Sequence, residues 1–159
     1  MRAYEYRHIV SFEESSLVGN VYFLHPLRWQ GRCREMFLRD HVPGVLTDLE
    51  RGFCLVTTKC SCDYVQEVHV FDEVVVRMRL GSAAPDRLHL HFECVRRGGG
   101  SEQIVAMGEQ EIVSMSRQGA RLVPTPLPGA LVAALEQYGS AAPDPPARSG
   151  GVRYLAPHA

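Results

Sequence analysis

The sequence predicts an α+β fold, with one long helix enclosed by an antiparallel sheet. Three observations predict it. A single stretch, Leu17–Phe37, opens with a Gly-Asn turn and becomes a long helix, from about Pro26 to about His41, that carries the lone tryptophan, Trp29. From Phe53 to Ser116 the chain reads as successive strands joined by short turns, a helix-then-strands order that is α+β rather than alternating. The helix is also apolar around most of its circumference, as a helix wrapped by a sheet must be.

Each element has its own signal. Ala3–Ser11 mixes β-branched and aromatic residues in rough alternation and reads as a first strand. Phe12–Asn20 is polar, ends in Gly19-Asn20 and reads as a loop. Pro26 suits the first turn of a helix, where its missing N–H costs nothing, and Pro43 stops that helix near His41. Gly44–Arg51 reads as a short second helix ending at Gly52. Phe53–His69 is one long strand or a bent pair, rich in Val, Thr, Cys and Tyr. Val74–Leu80 is a strand, Gly81–Asp86 a turn, and Arg87–Arg96 alternates strictly, as a half-buried strand does. Gly98–Ser101 is a hairpin turn, and Gln103–Ser116 closes the set. Pro128–Tyr138 reads as a short amphipathic helix. Beyond Gly139 the composition shifts to Ala, Pro, Gly and Ser, so 140–159 is expected to be a flexible tail after a single domain, 1–139.

Stepping ~100° per residue places Trp29, Cys33, Met36 and Phe37 in one apolar sector of the helix. Leu27, Gly31 and Leu38 fall in a second sector, and Arg28, Arg32, Glu35 and Arg39 share a narrow polar face. Gly31 weakens a helix, so it suggests close approach of another backbone. Gln30 and Arg34 point between the two apolar sectors. A guanidinium there needs partners. Either Arg34 pairs with an acid on the sheet, such as Glu67 or Glu93, or it faces a cavity and binds a ligand carbonyl or carboxylate.

Composition narrows the function classes. The 159 residues carry a net charge of -1, which gives no basis for a nucleic-acid partner. The five cysteines are odd in number and follow a charged, signal-less N-terminus, so reduced thiols in a cytoplasmic protein are expected. No apolar run approaches membrane-spanning length. Cys60 and Cys62 alternate on a strand, as do His89 and His91; the spacings do not suit a metal site, and none is expected. No helix follows the glycine run 98–100, which argues against a phosphate loop.

The block S-L-V-G-N-V-Y-F-L-H-P-L-R-W, Ser16–Trp29, resembles the signature of hotdog-fold acyl thioesterases of the 4-hydroxybenzoyl-CoA thioesterase type. The longer run Gly19–Leu38, with R-W-Q-G-R-C-R-E-M-F, resembles more narrowly the thioesterases associated with enediyne polyketide synthases. The likeness extends from Tyr4 to about Ser116. It implies a single hotdog fold: a five- or six-stranded antiparallel sheet around a long central helix. It also implies a homodimer or homotetramer with active sites at the dimer interface and no cofactor. The implied substrate is an acyl thioester on the phosphopantetheine arm of a polyketide synthase carrier domain. The implied reaction is hydrolysis that releases a linear polyene, with decarboxylation of the β-keto acid.

The chain departs from the family pattern in two places. The usual catalytic Asp is Ser16, which is no carboxylate base, and the Asn-Tyr pair after the double aromatic is His25-Pro26. The resemblance carries over Arg34 as the contact to the thioester carbonyl and a threonine nearby, Thr57 or Thr58. A thioester is already a reactive acyl donor, so stabilising the oxyanion and delivering water come first. Backbone N–H groups at Tyr22 and Phe23 are the expected further oxyanion donors, helped by the helix dipole. Ser16 either orients water or is an inert turn hydroxyl. Asn20, His25 and Gln30 complete the expected surroundings of the substrate, His25 being either a base or a cap. Glu35 falls on the solvated face and Cys33 in the core; Met36, Phe37 and Val56 are candidate walls of an acyl tunnel. The basic set Arg28, Arg32 and Arg39 either receives an acidic carrier or is a solvated face. Three other readings remain open: a non-hydrolytic acyl-binding or scaffold protein of the same fold, an acyl-CoA thioesterase, and a dehydratase.

Overall fold

The computed structural model describes residues 2–139, and the stretch 140–159 expected as a tail lies outside the described residues. The elements run β1 (Tyr4–Ile9), a 3₁₀ turn (Phe12–Glu14), α1 (Leu24–His41), α2 (Pro43–Glu50), β2 (Phe53–Tyr64), β3 (Glu73–Ala84), β4 (Arg87–Gly98), β5 (Ser101–Gln118), β6 (Arg121–Pro124) and α3 (Gly129–Glu136). The six strands form one antiparallel sheet in the order β1-β3-β4-β5-β2, with β6 added on β5. The sheet closes around α1, as the sequence predicts for a hotdog fold.

The core follows from the two periodicities meeting. Trp29, Cys33 and Phe37 fall one helical turn apart on α1 and are all buried. They pack on alternate residues of the sheet's inner face: Val76 and Met78 of β3, Leu90 and Phe92 of β4, Ile112 of β5. Each such side chain contributes about 1.5–3 kcal/mol when fully withdrawn from water. The long α1 is therefore held by tertiary burial.

The start of α1 is fixed by a buried acid. Glu14 accepts hydrogen bonds from Trp29 Nε1 (2.7 Å), His8 Nε2 (2.8 Å) and the Ser11 backbone N–H (2.8 Å). Burial alone would raise its pKa, but these bonds and the His8 charge prevail and hold the carboxyl below its ordinary value. One residue thereby ties β1, the 3₁₀ turn and α1 together.

Several expectations are corrected. Helix α1 begins at Leu24, two residues earlier than expected, and Pro26 falls in its first turn as the sequence predicts. The stretch Phe53–His69 is strand only to Tyr64; a loop follows, with Phe71 at a positive φ of 70°. The four-residue β6 has no counterpart in the sequence reading, being short and ended by a proline. A methyl group on Gly31 would meet nothing within 4 Å, so Gly31 marks no close backbone approach among the described residues. That role belongs to Gly108 on β5: a Cβ there would overlap the Gln30 amide and the Ser61 carbonyl oxygen.

Candidate active site

Arg34 leaves α1 between the helix and the β2 edge of the sheet. Its Nη1 donates to Thr57 Oγ1 at 2.9 Å and to Gln110 Oε1 at 2.8 Å. Neither Glu67 nor Glu93 pairs with it: Glu93 faces Arg77 on the opposite side of the sheet, and Glu67 lies on the surface beside His69. Among the described residues Arg34 forms no ion pair. Burial lowers its pKa, though a guanidinium stays charged throughout the physiological range. Both Nη1 hydrogens are used, which leaves Nε–H and the two Nη2 hydrogens without a partner among the described residues. That free edge is the shape that accepts a carbonyl or carboxylate oxygen.

A β-bulge decides which threonine reaches it. The β2–β5 register shifts between Thr57 and Lys59, so Thr58 is the extra residue. Thr57 stays on the inner face with Leu55, and Cys60, Cys62 and Tyr64 occupy that face beyond the bulge. Thr58 turns outward, where its hydroxyl donates to Glu111 Oε1 at 2.7 Å. Of the two threonines expected near the site, Thr57 contacts Arg34 and Thr58 does not. Thr57 receives a hydrogen bond from Arg34, so its own O–H is free to donate.

Behind Arg34 lies a polar core. Gln110 Nε2 donates to Gln30 Oε1 (3.4 Å), the Cys60 thiol donates to the same oxygen (3.6 Å), and Gln30 Nε2 donates to the Ser61 carbonyl (3.1 Å). Gln30 is wholly buried, which corrects its expected place against the substrate; it can act only through its neighbours. Gln110 was not singled out by the sequence. The signal it leaves is a polar residue on the inward positions of an apolar strand, between Gly108 and Ile112.

The loop before α1 assembles separately. Ser16 Oγ donates to Asn20 Oδ1 (2.7 Å), and the Ser16 N–H donates to the Asn20 carbonyl (2.7 Å). Both side chains are thus engaged with each other in a turn, and no base adjoins Ser16. The Tyr22 N–H donates to the Glu14 carbonyl (2.9 Å), so it is not a free oxyanion donor as expected. The N–H groups of Phe23 and Leu24 make no hydrogen bond among the described residues. Tyr64 OH donates to the Phe23 carbonyl and holds the turn against β2. His25 is half-buried at the first turn, its backbone N–H on the Tyr22 carbonyl.

The two groups of donors do not meet within one chain. Arg34 lies eleven residues beyond Phe23, about 16 Å along the axis at ~1.5 Å per residue. Arg34 instead borders an apolar cavity of ≈ 10 Å³, lined also by Phe37, Leu38, Leu55, Met78, Leu90 and by Leu131 and Leu135 of α3. Of the three candidate tunnel walls, Phe37 lines this small cavity, and Met36 and Val56 do not. The free edge of β2, exposed from Thr57 to Cys60, runs beside the site, and the exposed Leu17, Val18, Tyr22, Phe23 and Leu24 cluster at the start of α1. No group of three or more metal-ligating side chains occurs among the described residues, and no helix among them is long and apolar enough to cross a membrane.

The thioesterase-like superfamily matches residues 10–135. A crystal structure of the dynemicin thioesterase, described for induced-fit and allosteric effects upon polyene binding, is 45% identical. It superposes with a TM-score of 0.85 over 89% of this chain and 100% of that one. The 4-hydroxybenzoyl-CoA thioesterase of Pseudomonas sp. strain CBS-3 is 19% identical, with a TM-score of 0.70 over 84% of this chain and 99% of that one. A 1,4-dihydroxy-2-naphthoyl-CoA thioesterase from Synechocystis is also 19% identical, with a TM-score of 0.71 over 84% of this chain and 96% of its own. These two share the fold. No curated protein matches the chain.

Proposed function

Because the chain belongs to the thioesterase-like superfamily and is a hotdog thioester hydrolase, we propose that its substrate is a β-ketoacyl thioester on a polyketide synthase carrier domain. Hydrolysis then releases a linear polyene precursor in enediyne biosynthesis. The observation that carries the reading is Arg34: a half-buried cation, held only by neutral groups, with one edge unoccupied. The 45% identity to the dynemicin thioesterase supports the polyene class.

The chemistry follows from that edge. The thioester carbonyl oxygen accepts from Arg34 Nε–H and Nη2–H, with the Thr57 hydroxyl as a further donor. Water adds to the carbonyl carbon, and the negative charge of the tetrahedral intermediate develops on the oxygen that Arg34 holds. The C–S bond breaks, the pantetheine thiol leaves with a proton, and a β-keto acid remains. Loss of carbon dioxide from that acid places electrons on the β-carbonyl oxygen as an enolate, which the same guanidinium stabilises; protonation at carbon gives a methyl ketone. Removing one such donor typically costs ~3 kcal/mol, two to three decades in rate.

A complete site in this reading needs two copies of the chain. The unbonded Phe23 and Leu24 N–H groups and Arg34 are too far apart in one protomer. The open β2 edge offers pairing to a second copy, whose helix start would approach Arg34. A homodimer, or a tetramer of two such dimers, working in the reducing cytoplasm fits the five free cysteines.

A second reading, acyl binding without hydrolysis, is favoured by Ser16, whose hydroxyl is tied to Asn20 where the usual family pattern has an acid. Incubating a β-ketoacyl carrier protein with the wild-type chain and with Arg34→Ala separates the readings. The expected result is free thiol and ketone with wild type, and turnover at least ~100-fold lower in the variant with folding intact. No thiol above background with wild type would favour the binding protein. Thiol release by Arg34→Ala at the wild-type rate would remove Arg34 from the mechanism.

A further inference from the structure

We infer that Gln110 is a positioning residue for thioester hydrolysis: it aims Arg34 while leaving its charge uncancelled, and Gln30 fixes which way Gln110 points. The inference rests on the reading of Arg34 as the oxyanion-binding cation.

The argument begins at a main-chain oxygen. The Ser61 carbonyl can only accept, so Gln30 must turn its NH₂ toward it (3.1 Å). Gln30 Oε1 is then left as an acceptor, and Gln110 must turn its own NH₂ to that oxygen (3.4 Å). The Cys60 thiol donates to it as well (3.6 Å). Gln110 Oε1 therefore faces Arg34, which can only donate (2.8 Å). Flipping either amide would set donor against donor. The polarity of the whole row is inherited from the backbone of β2.

Burial makes the row rigid and its composition consequential. Gln30 is 0% exposed and Gln110 3%. No buried side-chain nitrogen or oxygen among the described residues lacks a partner. Gly108 belongs to the same device, since any side chain there would displace the Gln30 amide. An amide and a carboxylate are nearly the same shape, so a glutamate at 110 would reach Arg34 equally well. It would, however, form a shielded ion pair and cancel the field that the developing oxyanion needs. The neutral partner holds the guanidinium in place without competing with substrate.

The test compares Gln110→Glu, Gln110→Met and Arg34→Ala with wild type. Thiol release from a β-ketoacyl N-acetylcysteamine thioester gives kcat and KM; near-UV circular dichroism and thermal unfolding report folding. Gln110→Glu is expected to lose at least ~100-fold in kcat, with KM changed less than ~3-fold and a melting temperature no lower than that of Gln110→Met. Gln110→Met keeps the volume and removes the acceptor; about a tenfold fall in kcat is expected. Wild-type kcat in folded Gln110→Glu would overturn the inference while leaving the role of Arg34 intact. If Gln110→Glu fails to fold, Gln110→Met decides alone: kcat within twofold of wild type would overturn it equally. Full activity in Arg34→Ala would instead bring down the reading on which the inference stands.

Discussion

Two arginines on opposite faces of one sheet show what surroundings do to the same side chain. On the outer face, Arg77 reaches Glu5 (2.9 Å), Glu93 (3.4 Å) and Glu102 (2.9 Å), and Arg97 joins Glu5 and Glu102. Burial alone would lower the Arg77 pKa, but its carboxylate bonds prevail and raise it. On the inner face, Arg34 has a threonine hydroxyl and an amide, and burial lowers its pKa. The first cation is spent on holding strands together. The second is held without being neutralised, which stabilises the fold less and leaves it able to attract an incoming oxygen.

The comparison breaks if the two arginines can be exchanged in role. Arg34→Ala is expected to lower thioester turnover at least ~100-fold with little change in melting temperature. Arg77→Ala should do the reverse: it strands the nearly buried Glu93, costs about 2 kcal/mol by urea unfolding, and leaves kcat within about twofold. High salt should narrow the stability gap between wild type and Arg77→Ala, since Glu5 and Glu102 are partly exposed. Thr57→Val should lower kcat about tenfold, whereas Thr58→Val, on the outer side of the bulge, should stay within about twofold; equal effects would deny the bulge its part.

Glu14 sharpens the same contrast from the acid side. Its pKa is lowered in the folded state, so its contribution to stability is present above the unfolded carboxylate value and lost as pH falls through the folded one. Glu14→Gln should therefore unfold with a shallower pH dependence below pH ~4.5, worth about 1 kcal/mol, in an acid titration followed by Trp29 fluorescence. An unchanged acid limb would show that the Trp29 and His8 bonds do not favour the ionised form.

Much of this architecture was legible in the sequence because it depends on period. Strand alternation in Arg87–Arg96 and the wide apolar arc around Trp29 and Phe37 each have one reading, and both elements appear where expected. The hotdog signature around Ser16–Trp29 agreed with them. What sequence left open depends on phase and on distant partners. Thr57 and Thr58 are indistinguishable until the bulge is located. Gln110 is one polar residue in a long strand until Gln30 arrives from 80 positions away. Glu14 looked like loop polarity, although Ser11 and Glu14 have the spacing of a capping box. Gly31 misled for a related reason: a glycine in a helix signals nothing unless something comes near it, and here nothing does.

The bulge at Thr58 also means that strand β2 stores information in its length. Before it, odd-numbered residues face the helix; after it, even-numbered ones do. If Thr58 instead paired with Glu111, the pleat would run through unbroken and turn Lys59, Ser61 and Asp63 toward the interior. Cys60 would lose Gln30, and Tyr64 would lose the Phe23 carbonyl that it anchors. Losing Thr58 itself would leave Thr57 opposite Ile112 and Lys59 opposite Glu111, with the same residues facing inward, whereas losing a residue beyond the bulge would turn every later one over.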